Sequence, residues 1–190
     1  MTGEWPSGVL TCVAVEGRFL QADNGSELRE QARAAAADGA DAVLVSHGAL
    51  GDPIVLAAGL ADCVPQTWLS VRLGLAQDGR HPAMLARDMT GLDLVSGGRS
   101  VLCFQPPFTD ELAEAIRLCR ALWRAGAVQS DGPRFPARAP AARARPMSEA
   151  SPQIGLELVT GAEIPASFDG LTDLLVRATP DPAIYDMERV

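Results

Sequence analysis

The chain has 190 residues and a formal net charge of −8. This length suits one domain, and the acidic balance argues against binding to a nucleic-acid backbone, which requires clustered cations. All 16 basic residues are arginine, so the sequence excludes a lysine Schiff base and the phosphate-binding lysine of a P-loop.

The amino-terminal part of the chain alternates predicted strands and helices. An apolar strand over Gly8 to Val15 precedes a helix that begins near Asn24 and ends at Gly39. A second strand over Asp41 to Ser46 leads to a helix that has Asp52 as its N-cap and proline in its first turn. An N-cap aspartate followed by proline is a strong helix-start signal.

The same alternation continues toward the middle of the chain. Thr67 to Leu75 is predicted to be a third strand, and a third helix is predicted from Pro82 to Gly97 or Gly98. "SVLCF" is the fourth strand, and a fourth helix follows that has Thr109 as its cap and ends at Gly126. Each strand is apolar nearly throughout, as expected for a parallel sheet that is covered on both faces.

The second half is less regular. An Arg/Pro/Ala-rich loop is predicted over residues 129–150, and its Pro133 to Pro146 segment is expected to be a solvated linker. Two further strands are predicted, over Gln153 to Val159 and Gly170 to Thr179, with only a short connection between them. We therefore predict one α/β domain over residues 1–190, either a barrel or an open doubly wound sheet.

Cysteine spacing and terminal patterns bound the remaining function classes. None of the four cysteines forms a C-x-x-C pair, and the chain has two histidines. No metal site is expected, and reduced, buried thiols are the default. No membrane-spanning run or secretory signal is recognisable, so we expect a cytoplasmic protein with no membrane partner.

Several ordered motifs resemble those of the bacterial luciferase-like flavin-dependent oxidoreductases. They are "TWLSVRLGL", "HPAMLARDMTGLDLVSGGRSVL" and "ELAEAIRLCRALWRAG", preceded by "GADAVLVSHG" and "DPIVLAAGLA". The resemblance runs from about Gly8 to Gly126. It implies a TIM barrel with an active site at the carboxyl ends of the strands.

The chain is short for that fold, which typically needs about 250 residues. We therefore expect an incomplete parallel β/α barrel of about six strands, with an internal deletion in its second half. The tail from Gly170 resembles the family's last strand and the start of its final helix. Open sheet edges would favour a homodimer or heterodimer with a related barrel.

The resemblance implies reduced FMN or the related deazaflavin coenzyme, with a small organic molecule as substrate. His47 is the expected catalytic residue because imidazole exchanges protons near neutral pH; the alternative is a hydrogen-bonded loop histidine. Other residues expected beside the cofactor follow the second, third and fourth strands: Ser46, Leu75, Gln77, Cys103 and Gln105.

A non-catalytic family member that serves as a dimer partner or flavin-binding subunit is the alternative function. Leu75 and the bulky "CFQ" at the fourth strand motivate it, as does the loss of the half-barrel that would hold the flavin phosphate. The "LDLVSGGR" turn is expected to be structural, with Asp93 paired to Arg99 across the bottom of the barrel. His81, at the start of the third helix, is also expected to be structural.

Overall fold

The computed structural model of the protein describes residues 10–15, 24–46, 51–75, 79–125, 128–139, 146–147, 152–158, 163–179 and 183–189. Strands and helices alternate through the first part of this set, and strands predominate after it. The elements are β1 (Leu10–Val15), α1 (Asn24–Ala37), β2 (Ala42–Ser46), α2 (Pro53–Ala58), β3 (Trp68–Leu73), α3 (Pro82–Ser96), β4 (Ser100–Phe104), α4 (Asp110–Ala125), β5 (Val128–Ser130), β6 (Ala137–Ala139), β7 (Gln153–Leu158), a 3₁₀ turn (Ala166–Phe168), β8 (Leu174–Ala178) and β9 (Ile184–Arg189).

Seven strands close into a barrel in the order β1-β2-β3-β4-β7-β8-β9. The strands from β1 to β8 in this order pair in parallel, and β9 pairs antiparallel with both β8 and β1. Ser46 lies opposite Arg72 across β2 and β3, and Arg72 lies opposite Cys103 across β3 and β4. Parallel strands bring their carboxyl ends to one mouth of the barrel, where the candidate site is expected.

The barrel corrects two expectations from the sequence. It is closed by seven strands rather than open with about six, and the tail is a strand rather than the start of a helix. The residues of β9 alternate in burial, since Tyr185 and Met187 are buried whereas Asp186 and Glu188 are exposed. A repeat of two fits a strand with one face inward, not a helix, whose repeat is 3.6 residues.

Closure of the barrel also removes the structural argument for a covering partner. The described strands of the barrel leave no open edge. The outer wall formed by β8 and β9 is polar, with Arg177 and Glu188 joined by a 2.8 Å ion pair in solvent. A wall of this kind is stable in water without a second chain over it.

The starts of α2, α3 and α4 agree with the sequence because each of these helices has its own local cap. The Asp52 side chain accepts a hydrogen bond from the Ile54 N–H at 2.8 Å. Thr109 Oγ1 accepts from the Leu112 N–H at 3.2 Å. His81 caps α3, since its Nδ1 accepts from the Ala83 N–H. The caps set the helix N-termini at the barrel mouth, where the strands end.

The turn between α3 and β4 is structural, but its hydrogen bonds differ from the expected ion pair. Gly97 ends α3 in the left-handed conformation, at φ 72°. Arg99 donates to the backbone carbonyls of Val64 and Thr67, which follow α2. Asp93 is fully buried and accepts from Ser100 Oγ and from the Met147 N–H, both at 2.7 Å. Each side chain therefore ties a different segment to the bottom of the barrel.

Part of the segment expected to be a solvated linker is ordered. β5 and β6 form an antiparallel hairpin that packs on α4. Glu114 of α4 accepts from the N–H groups of Arg134 and Phe135, and Ala137 is buried. The Phe135 ring meets His81 edge to face at 5.6 Å. The apolar residues between the arginines explain this packing, because they give the hairpin a face to bury.

The helices pack against the outer surface of the barrel through one apolar layer. It contains alternate residues of the strands, such as Val43, Val71, Phe104 and Leu156, together with the inner faces of α1 to α4. In the part of the chain that the structure describes, no helix is long and apolar enough to span a membrane.

Candidate functional site at the barrel mouth

The barrel interior is filled by side chains that alternate with those of the outer layer. They form a second, separate cluster of buried residues. Gly155 of β7 faces this interior, where a Cβ would lie in ordinary van der Waals contact, 3.7 Å from Cys103 Sγ and 3.4 Å from a Val176 methyl. The interior apolar residues are Cys12, Ala42, Leu44, Trp68, Val101, Cys103, Leu174, Val176, Tyr185 and Met187.

Polar residues replace apolar ones toward the carboxyl ends of the strands. Arg72 Nε and Glu157 Oε2 lie 2.9 Å apart, with side chains only 11% and 9% exposed. The Arg72 guanidinium carbon is 4.5 Å from the centroid of the Tyr185 ring. Gln105 is near enough to Glu157 to lower the pKa of its carboxyl group, and Ser46 lies opposite Arg72 on the neighbouring strand. We refer to Ser46, Arg72, Gln105, Glu157 and Tyr185 as the mouth cluster.

The two charges of the mouth cluster are stabilised unequally. Burial lowers the pKa of Arg72, but a hydrogen bond with Tyr185 and the charge of Glu157 outweigh this effect and hold the pKa above its ordinary value. Burial raises the pKa of Glu157 and outweighs the opposing effects of Arg72 and Gln105. Arg72 is therefore charged at every accessible pH, whereas Glu157 holds a proton more readily than a solvent-exposed glutamate does.

Several buried polar atoms of the interior have no hydrogen-bond partner within the described residues. They include Ser46 Oγ, Ser70 Oγ and Arg72 Nη2. Arg72 Nε and Glu157 Oε2 also belong to this set. Their 2.9 Å separation makes an ion pair, but the N–H is not directed at the oxygen. Buried polar groups are almost always satisfied in native proteins, so these atoms point to water or to a ligand.

A second ion-pair group lies at the rim of the barrel. Arg80, in the connection after β3, contacts Asp52 at 2.6 Å and Asp88 at 3.4 Å. Asp52 also caps α2, so one carboxylate joins the connections that follow β2 and β3. These contacts hold the two connections together at the rim. The charge of the Arg80 guanidinium is balanced there by the carboxylates of Asp52 and Asp88.

The structure brings together only some of the residues expected at the site. Ser46 and Gln105 reach the mouth cluster, and Cys103 lies in the barrel interior below them. Leu75 packs against the apolar layer between barrel and helices. His47 and Gln77 fall outside the described residues.

Sequence reasoning missed Arg72, Glu157 and Tyr185. The available signal was a single charged residue inside each of two apolar strands, in "WLSVRL" and "QIGLEL". A lone charged side chain in a buried strand requires a partner of opposite charge. The arginine in the one strand and the glutamate in the other were therefore candidates for an ion pair. For Tyr185 the signal was the two-residue alternation of the tail.

The cysteines give a direct test of the barrel interior. Cys12, Cys103 and Cys119 are fully buried, and burial raises the pKa of Cys119 to about 12. Burial also raises the pKa of Cys12 and Cys103. Because the thiolate is the reactive form, we expect a disulfide-exchange reagent to label only the partly exposed Cys63 in the native protein. Mass spectrometry after a short exposure checks this.

The labelling experiment has two controls, the denatured protein and a variant that lacks Cys63. All four thiols should react in denaturant, and Cys63→Ser should abolish the native signal. Rapid native labelling of Cys103 would show that the barrel interior is open to solvent, contrary to the described packing.

The mouth cluster fits one part of a flavin better than another. The unpartnered atoms of Ser46 and Arg72 and the carboxylate of Glu157 match the polar edge of an isoalloxazine or deazaflavin ring, which carries both acceptors and a donor. For the phosphate, the rim provides Arg80, whose charge is balanced by Asp52 and Asp88. The described residues would therefore fit the ring of such a molecule, and they dedicate no cation to a phosphate.

Comparison with known proteins supports the fold. No family model and no curated protein matches the chain. An F420-dependent secondary alcohol dehydrogenase in complex with an F420-acetone adduct superposes with a TM-score of 0.68 at 14% identity, over 87% of this chain and 57% of that one. The coenzyme F420-dependent tetrahydromethanopterin reductase of Methanopyrus kandleri gives 0.65 at 15% identity, over 80% of this chain and 51% of the reductase.

An FMN-binding structure gives a similar result. The oxygenating constituent of 3,6-diketocamphane monooxygenase from Pseudomonas putida, in complex with FMN, has a TM-score of 0.62 at 15% identity, over 79% of this chain and 51% of that one. The chain thus spans about half the length of the structures it matches. The TM-scores of these superpositions establish the fold, and at that level the resemblance to the luciferase-like oxidoreductases is confirmed.

Proposed function

We propose that this chain, whose barrel has the fold of the luciferase-like oxidoreductases, binds FMN or a deazaflavin at its carboxyl mouth and oxidises or reduces a small organic substrate there. The observation that carries the proposal is the mouth cluster. Parallel strands deliver hydrogen-bonding groups from β2, β3, β4 and β7 to one end of a closed barrel. In this fold, that end is where active sites form.

The chain's own residues would bind and orient the cofactor. When bound, the flavin or deazaflavin supplies the redox chemistry, and the protein supplies position and electrostatics. Ser46 and Gln105 would contact the ring from two sides of the mouth. The apolar interior below the mouth, formed by residues such as Cys103, Val101 and Leu44, would exclude water from the edge of the ring that points into it.

His47 is the proposed proton donor, because it directly follows Ser46 at the end of β2. Its neighbour Ser46 is the last residue of a strand whose inward positions include Ala42 and Leu44. An imidazole just beyond that strand end is suited to exchange a proton with a substrate held above the ring.

A dimer with a related barrel remains part of the proposal. Val55 and Met84, on the outer faces of α2 and α3, are 67% and 43% exposed. Two apolar side chains on neighbouring helices are a more suitable contact than the polar wall of β8 and β9. Sedimentation equilibrium of the purified chain distinguishes a monomer from a dimer.

The proposal is tested by titrating the apoprotein with FMN and with the deazaflavin coenzyme while following ligand fluorescence. We expect micromolar affinity for at least one of them. His47→Ala should weaken cofactor binding, or lower the rate of single-turnover reduction by about 100-fold or more, the usual effect of losing a general acid. A protein that binds neither cofactor would contradict the proposal and favour the non-catalytic alternative.

The other histidine provides the matched control. His81→Asn removes an imidazole but keeps the N-cap of α3, since asparagine is an equally good cap. We expect this variant to bind and react like the wild type. Equal behaviour of the His47 and His81 variants would remove His47 from the site.

A further inference from the structure

The ion pair inside the barrel is not explained by stability alone. Replacing a buried ion pair with well-packed apolar residues is often neutral or stabilising. The pair formed by Arg72 and Glu157 is nearly enclosed, yet Arg72 Nη2 donates no hydrogen bond to any described residue. A structural pair would be expected to use its donors fully.

The neighbours of the pair also leave hydrogen-bonding capacity unused. Ser46 Oγ has no described partner. The Glu157 carboxylate offers about four acceptor positions, and its Oε2 accepts no hydrogen bond from a described residue. From β2 to β7 the barrel mouth thus presents a hydroxyl, a guanidinium N–H and a carboxylate oxygen in close succession. This set contains both donors and acceptors.

The charges of the mouth cluster restrict which ligand can form hydrogen bonds with its unpartnered groups. An anion beside Arg72 would meet the Glu157 carboxylate 2.9 Å from the guanidinium, and a cation would meet Arg72 itself. Either charge would be buried next to one of like sign, which is costly. A neutral ring with alternating acceptor, donor and acceptor atoms matches without that cost.

We propose that Arg72 and Glu157 bind the cyclic imide edge of a planar heterocycle, Glu157 accepting from the imide N–H and Arg72 donating to a flanking carbonyl. FMN, riboflavin and the deazaflavin coenzyme all carry this edge. The inference rests on the proposed function and deepens it, because it names the part of the ligand that the site recognises. The ring would stand with its imide edge toward the barrel interior.

The test compares riboflavin with 3-methylriboflavin, in which a methyl group replaces the imide hydrogen. Loss of a hydrogen bond to a charged group weakens binding by about ten- to hundredfold. We expect the wild-type protein to bind riboflavin tighter by that factor in a fluorescence titration. Equal affinity would overturn the inference and leave the proposed function intact, whereas absence of binding to riboflavin, 3-methylriboflavin, FMN and the deazaflavin alike would overturn both.

A double variant separates the hydrogen bond from simple crowding by the methyl group. Arg72→Met with Glu157→Leu removes both charges and retains much of the side-chain volume. We expect it to bind the two ligands within about threefold of each other, because it has lost the acceptor. Persistence of the wild-type preference would show that the methyl group is excluded by shape alone, and would overturn the inference.

The chain offers a matched control pair on the other face of the barrel. Arg177 and Glu188 form a 2.8 Å ion pair on the outside of β8 and β9. The variant Arg177→Met with Glu188→Leu loses the same two charges in solvent. It should retain the wild-type preference for riboflavin, and a loss of preference there would point to an indirect effect on the fold, contrary to the inference.

Discussion

Glu157→Leu alone is expected to lower the free energy of unfolding by about 3–5 kcal/mol, the usual cost of leaving one buried charge unpaired. Arg72 is 11% exposed, and once the carboxylate is gone its guanidinium has the Tyr185 ring beside it but no counter-ion among the described residues. Burial then opposes its charge without compensation. Urea denaturation followed by circular dichroism measures the change.

Two comparisons make this result specific. Adding Arg72→Met to Glu157→Leu should restore most of the lost stability, because an apolar pair replaces an unpaired charge. Glu188→Leu, which breaks the exposed pair with Arg177, should cost no more than about 1 kcal/mol. If Glu157→Leu costs as little as Glu188→Leu, the interior pair is open to solvent and the described mouth cluster is wrong.

Asp93→Ala is expected to cost about 2–4 kcal/mol, because it leaves two donors without their acceptor in a buried place. The carboxylate is fully buried and accepts from Ser100 Oγ and the Met147 N–H. It therefore joins α3, the start of β4 and the segment that precedes β7. Thermal and urea unfolding both report the loss.

An exposed aspartate provides the control for the loss of stability expected in Asp93→Ala. Asp186 is an exposed aspartate on the outer face of β9, and Asp186→Ala should change stability by less than about 0.5 kcal/mol. Because Asp93 lies at the bottom of the barrel, Asp93→Ala protein that remains folded should bind flavin like the wild type. A loss of affinity without a loss of stability would contradict a purely structural role.

The first four strands and helices were predictable because their signals are local. Asp52 and Pro53 start α2, Thr109 caps α4, and Gly97 ends α3, each within a few residues of the boundary that it sets. Such caps act independently of the rest of the chain. Their agreement with the structure therefore follows from local chemistry.

The tail was not predictable in the same way. The strand over Ile184 to Arg189 exists because it closes the gap between β8 and β1. A strand's pairing partners lie far away in sequence, and its alternation alone does not say whether it runs parallel or antiparallel. The resemblance to longer barrels favoured a helix there. That expectation was wrong because this barrel is closed by an antiparallel strand between β8 and β1.

The site was half predictable for a related reason. Ser46 and Gln105 follow from where β2 and β4 end. Arg72 and Glu157 meet only because β3 and β7 flank β4 in the barrel. Their pairing depends on the order of the strands in the barrel, which cannot be read from the sequence. The only local sign of the pair is one isolated charge in each of two apolar strands.

The crystal structure of the protein with bound flavin tests the central claim most directly. The outer surface of the barrel carries a cavity of about 540 Å³ that is bounded by α1, β1 and β9. We predict the flavin ring at the carboxyl mouth, within hydrogen-bond distance of Arg72 and Glu157. Flavin density in the outer cavity, or a ring that leaves both side chains untouched, would contradict the account.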